Sequence, residues 1–160
     1  MKKHFILINS VFIFSIIGCI NQNKSENNGK NSTINTKQGK IEKVQLIEQT
    51  RGVNDSVTFT ATSKVYTSNN ADPTNSSISP SEWASISKQA EALDLSAISK
   101  LQSPTTGRYS DRALAATIII TSGGTTYTSA TFDSGHPPKE LEALYNEIQK
   151  PTRNLKKKPE

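Results

Sequence analysis

Val57-Thr58-Phe59-Thr60-Ala61-Thr62-Ser63-Lys64-Val65-Tyr66-Thr67 is the clearest alternation in the chain. Val57, Phe59, Ala61, Ser63 and Val65 fall on one side, and Thr58, Thr60, Thr62, Lys64 and Tyr66 on the other. Strict period 2 with threonines outward predicts one half-buried antiparallel strand. Upstream, Ile41–Thr50 reads as a first strand, with Val44 and Leu46 on one face between Lys43, Gln45 and Glu48. The turn cluster Arg51-Gly52-Val53-Asn54-Asp55-Ser56 joins the two into a hairpin.

Downstream, Ser68–Ile78 is polar and reads as a loop. Ser79-Pro80-Ser81-Glu82 then announces a helix: Ser79 can cap, Pro80 suits the first helical position, and Glu82 completes a capping box. Trp83, Ile86, Ala90 and Leu93 share one face at helical spacing, and Leu95, Ile98 and Leu101 continue the apolar run after Asp94. A loop over Pro104–Asp111 leads to a third strand, Arg112–Thr121. Gly123-Gly124 makes a two-residue hairpin turn, and Thr126–Phe132 returns as the fourth strand. With Ser122 facing Thr125, Asp133 lies opposite Leu114, and the pattern does not decide which face is buried. After Pro137-Pro138, the residues Leu141, Leu144, Tyr145 and Ile148 form a single helical stripe that Pro151 ends. The economical packing is an α+β fold: a four-stranded antiparallel sheet of two hairpins, two helices on one face, order ββαββα.

Charge divides the chain into three. Residues 20–40 carry four Lys against one Glu, and residues 150–160 four Lys and one Arg against one Glu. Residues 41–149 hold eight basic and twelve acidic side chains, a net of −4. A mildly acidic domain at 41–149 thus lies between two basic arms. Residues 19–40 are Asn/Ser/Lys/Gly-rich and read as a disordered tether with a reach of roughly 25 Å. Residues 150–160 read as a basic disordered tail. The arms read first as solvated tails that keep the protein soluble; near an anionic leaflet they can add ~1 kcal/mol per Lys or Arg.

Two loops gather the polar residues that could form a site: Arg108, Tyr109, Ser110, Asp111 and Arg112 before the third strand, and Asp133, Ser134 and His136 after the fourth. The expected register brings them to one end of the sheet as candidate binding loops. The bland reading has Arg108 or Arg112 pairing with Asp111 or Asp133 to hold the loops, and Asp133 or Ser134 capping the last helix. Asp133, Ser134 and His136 contain the atoms of a hydrolytic triad, but three residues so close on one loop rarely converge on one another, and no G-x-S-x-G elbow is present. Gly123-Gly124 lacks any phosphate-loop context. Neither calcium-loop spacing nor a thiolate zinc site is available, so no metal or other cofactor is expected.

The compartment is written at the start. Met1-Lys2-Lys3-His4 is basic, and Phe5–Ile17 is an uncharged run too short to cross a ~30 Å hydrocarbon core as a helix. This is the pattern of a secretory signal peptide, here residues 1–18. Ile16-Ile17-Gly18-Cys19, which holds the chain's single cysteine, resembles the lipobox of bacterial lipoproteins. The resemblance implies diacylglyceryl attachment at the Cys19 thiol, cleavage after Gly18 and acylation of the new amino terminus. Several acyl chains anchor firmly where one binds only marginally. Ile20 follows the cysteine; where aspartate there marks inner-membrane retention, its absence favours the outer membrane. The stretches Pro104-Thr-Thr-Gly-Arg-Tyr-Ser-Asp111 and Phe132-Asp-Ser-Gly-His-Pro-Pro138 are similar to small uncharacterised bacterial envelope lipoproteins, a resemblance that implies no activity.

The expectation is therefore a lipid-anchored, periplasm-facing, non-catalytic module that binds an envelope protein partner and no nucleic acid. The alternatives are a hydrolase centred on His136 and a structural envelope protein whose basic arms hold membrane or wall polymers.

Overall fold

The computed structural model describes residues 39–69 and 71–155, with side chains to Lys150. The expected leader, Cys19 and the tether as far as residue 38 lie outside the described residues, as do residues 156–160. The elements are β1 (Ile41–Thr50), β2 (Val53–Phe59), β3 (Ser63–Ser68), β4 (Thr74–Ser77), α1 (Pro80–Glu91), β5 (Ala115–Ser122), β6 (Thr125–Thr128), β7 (Phe132–Asp133) and α2 (Glu142–Leu155). Short 3-10 turns lie at Ile98–Lys100, Gly107–Ser110 and Lys139–Leu141. The strands form one antiparallel sheet in the order β4-β3-β2-β1-β5-β6, with β7 also on β5. The fold is mostly β, with six to seven strands and two helices. The expected α+β arrangement, a four-stranded sheet in the order ββαββα, is overturned at three places.

The first is the stretch from Val57 to Thr67. It is not one strand but two, β2 and β3, reversing at Ala61-Thr62. Phe59 pairs with Lys64 and Val57 with Tyr66, so Val65 faces away from Val57 and Phe59. The turn contains no Gly, Pro, Asn or Asp. Thr60 supplies the turn chemistry instead: its Oγ1 accepts the amides of Ser63 (3.1 Å) and Thr62 (3.4 Å), and its own N–H donates to the Ser63 carbonyl at 2.9 Å. Lys64, now on the covered face, meets Glu82 of α1 at 3.3 Å.

The second is β4, which lies in the expected loop 68–78. Thr74 and three weaker strand formers, Asn75, Ser76 and Ser77, pair along β3 because their two ends are held in place. Asn69, at φ 48°, exchanges hydrogen bonds with Asn54 at the β2 side. Ile78 is buried at the other end, next to the Ser79 cap that accepts the Glu82 amide.

The third is the return strand after Gly123-Gly124. Both glycines take positive φ, 55° and 75°, as a tight two-residue hairpin loop requires. Thr128 pairs with Ile119, but Phe132 pairs with Ala116, so one extra residue is inserted between β6 and β7. This is a β-bulge. Ser129 holds it open: its amide donates to the Ile118 carbonyl (2.9 Å) and its hydroxyl accepts the Ile118 amide (3.0 Å). The Ala130 amide leaves the sheet for the Ile98 carbonyl at 3.0 Å. The shift turns Phe132 into the core, fully buried, and sets Asp133 opposite Ala115 rather than Leu114.

One sheet face is covered. Val44, Leu46, Phe59, Ile118 and Phe132 from the sheet join Ile86 and Ala90 of α1 and Leu144, Tyr145 and Ile148 of α2 in one cluster. Burying a side chain such as Phe132 contributes ~1.5–3 kcal/mol. The opposite face, with Gln45, Ile47, Thr117 and Ile119, is half-exposed. α2 runs past Pro151 to Leu155, where the sequence reading ends it at Pro151; the proline removes one backbone donor without stopping the helix. Among the described residues, no helix is long and apolar enough to cross a membrane.

Candidate functional site

Asp133 is the hub of the expected loops. The bulge and the two-residue β7 deliver it to the end of β5, and it is 2 % exposed. Its carboxylate accepts the amides of Gly107 (2.5 Å) and Arg108 (3.0 Å) and meets the Arg108 guanidinium at 2.9 Å. Gly107 sits so close that an added Cβ would lie 3.1 Å from that carboxylate. Arg108 reaches further, donating to the Ser103 hydroxyl (3.0 Å) and the Thr105 carbonyl (2.7 Å). Burial pushes the Asp133 carboxyl up. It is outweighed by the nearby Thr105 hydroxyl, the Arg108 guanidinium and the two amides, which together hold it well below the usual carboxylate range. The Thr105 oxygen itself is buried without a hydrogen bond of good geometry among the described residues. The hydrogen bond to Asp133 raises the Arg108 guanidinium above its ordinary value against the effect of burial, with Tyr109 adding to the rise.

The other end of Arg108 holds Tyr109. The guanidinium lies 4.3 Å from the ring centroid and donates to the phenol oxygen at 2.9 Å. Tyr109 is 78 % exposed, the one exposed large hydrophobic side chain among the described residues. Asp111, at φ 55°, closes the 3-10 turn; it accepts from Thr50 at 3.3 Å and pairs with the exposed Arg51 at 3.7 Å. Arg112 is exposed and donates to the Ser110 hydroxyl at 3.0 Å. His136 is exposed, and its amide closes the turn onto the Asp133 carbonyl at 2.8 Å. The structure therefore joins Asp133, Arg108 and Tyr109 in one chain of contacts, sets Asp111 and Arg112 beside them, and leaves the imidazole outside. The Ser134 hydroxyl donates to Glu48, not to His136.

Glu48 is a site residue that the sequence reading does not single out. It is 4 % exposed on β1, and its Oε1 accepts from the Ser134 hydroxyl (2.5 Å), the Tyr145 hydroxyl (3.2 Å) and the Gln149 amide (3.2 Å). Tyr145 Oη also accepts the amides of Gly135 (2.8 Å) and Gln149 (3.0 Å), and its ring packs edge-on against Phe132 at 5.6 Å. Burial, with help from the Glu48 charge, pushes the Tyr145 hydroxyl above its ordinary value despite hydrogen bonds to Ser134 and Gly135. The signal was present in the alternation: position 48 is in phase with Val44 and Leu46. Among the described residues, no group of three or more His, Cys, Asp or Glu side chains is arranged to hold a metal ion.

No family model matches the chain, and comparison with curated proteins and with solved structures finds nothing similar.

Proposed function

We propose that this chain is a lipid-anchored cell-envelope protein, attached at Cys19, whose domain is a non-catalytic module that binds another envelope protein through the Arg108–Arg112 loop. The exposed, clamped Tyr109 carries this reading. An aromatic ring already fixed by a guanidinium loses little freedom on binding, and Tyr and Arg are over-represented among the residues that dominate interfaces. Arg51, paired with Asp111, and Arg112 are exposed at the same loop and offer charge to a partner. The chain enters the sheet at Gly39, which abuts the Gly123 backbone beside the β5–β6 turn. The Tyr109 loop sits at the other end of β1, where Thr50 meets Asp111, roughly 30 Å away at ~3.3 Å per residue. The loop and the point where the chain enters the sheet thus lie at opposite ends of β1.

The test is photo-crosslinking in cells of full-length protein, Tyr109→Ala and Cys19→Ala. A partner captured by the wild type should be lost with Tyr109→Ala, at a cost to affinity of ~2 kcal/mol or more, about 30-fold. It should also be depleted when the anchor is removed. Equal capture by wild type and Tyr109→Ala sinks the reading.

A further inference from the structure

We propose that the Glu48 cluster is the site of an intramolecular ester cross-link, formed between the Ser134 hydroxyl and the Gln149 carboxamide. Three elements meet here: β1 brings Glu48, the turn after β7 brings Ser134, and α2 brings Gln149. The serine oxygen and the amide nitrogen share two neighbours. Glu48 Oε1 lies 2.5 Å from Ser134 Oγ and 3.2 Å from Gln149 Nε2, and Tyr145 Oη lies 3.2 Å and 3.0 Å from the same two atoms.

An acyl transfer needs a nucleophile, a base to take its proton, and a route for that proton to the leaving group. Here one carboxylate oxygen touches both the nucleophile and the leaving nitrogen. Ser134 Oγ attacks Gln149 Cδ as Glu48 takes the hydroxyl proton. Attack requires the two atoms about 3–3.5 Å apart. The Cδ–Nε2 bond then breaks, the proton passes from Glu48 to Nε2, and ammonia leaves. The ester Oγ–Cδ bond remains and Glu48 is again a carboxylate. No oxidant or cofactor enters, and escape of ammonia into solution drives the step forward. Ser134 rather than Tyr145 is the nucleophile: its hydroxyl has the closer approach to Glu48, and Tyr145 Oη is already occupied by two amide donors. The bond would tie the 133–136 turn to α2 and hold Asp133 in place beneath the Tyr109 loop.

The experiment is peptide mass spectrometry on the full-length chain recovered from cells. Trypsin cuts after Arg112, Lys139 and Arg153, because Pro151 protects Lys150, so an unlinked chain releases segments 113–139 and 140–153 separately. The expected result is a joined species lighter than their sum by one ammonia, which mild hydroxylamine splits. In Glu48→Gln and Ser134→Ala the two segments should appear apart. Separate, unmodified segments in the wild type overturn the proposal. So does a deamidated Gln149 on an unlinked segment, which would make water the nucleophile, and so does a joined species that persists in Ser134→Ala.

Discussion

Asp133 and Glu48 are buried to nearly the same degree, 2 % and 4 % exposed, on either side of one short turn. Asp133 meets a guanidinium and two backbone amides. Glu48 receives two hydroxyls and a carboxamide. The first cluster gathers a loop that carries exposed side chains; the second gathers the turn, β1 and α2. Loss of a partner has different consequences in the two. Losing Asp133 strands a buried guanidinium charge, whereas losing the Tyr145 hydroxyl strands neutral amide donors.

The largest effect should come from Asp133→Ala, which leaves the Arg108 guanidinium and two amides without their acceptor. We expect a loss of ~3–5 kcal/mol in urea unfolding at neutral pH. A loss below about 1 kcal/mol, the scale of a surface pair, would mean that the Asp133 cluster is not what holds the loop. The pH dependence sharpens the point. Because the folded Asp133 carboxyl lies below its ordinary value near 3.8, its stabilisation is complete above that value and is lost as pH falls through the folded one. The acid limb of the stability curve should therefore flatten in Asp133→Asn.

Tyr145→Phe should cost ~1–3 kcal/mol, since the Gly135 amide loses its acceptor and Gln149 one of its two while the ring packing on Phe132 survives. Its pH signature is the opposite of Asp133's. A hydroxyl raised above its ordinary 10.0 stabilises the fold below that value, and the contribution is lost as pH rises toward the folded one. Alkaline unfolding should thus be shallower in Tyr145→Phe, with the acid limb unchanged. A matching change on both limbs in either variant would erase the distinction between the two clusters.

The smallest effect on stability is expected at the tip of the first cluster. Tyr109→Ala removes an exposed ring and should leave the unfolding midpoint within about 0.5 kcal/mol of wild type. A larger loss would make Tyr109 part of the clamp rather than something the clamp presents.

Part of this was legible in the residues. β1 runs over Ile41–Thr50, α1 starts at the Ser79-Pro80 signal, and the Gly123-Gly124 turn sits between β5 and β6, because each is written in local chemistry: alternation, a cap, a pair of positive φ angles. Arg108 is one of the two arginines that the loop composition offers to Asp133. The inward position of Glu48 was readable from its phase with Val44 and Leu46, but a carboxylate at a strand's end reads as solvent-facing until Ser134, Tyr145 and Gln149 are seen to surround it.

What the sequence alone determined was the local grammar: that Ile41–Thr50 extends, where one helix starts, and which residues are apolar enough to bury. The tertiary structure decided the count and the register. Period 2 cannot distinguish one long strand from a hairpin when the two loop residues, Ala61 and Thr62, continue the pattern and a threonine hydroxyl makes the turn. Nor can it see a bulge that Ser129 keeps open with its own side chain, although that one residue turns Phe132 inward and moves Asp133 by a position. The groups that meet at the two carboxylates lie 25 to 101 residues apart in the chain. Their meeting follows from strand order and register, which are set by long-range packing rather than by any local pattern.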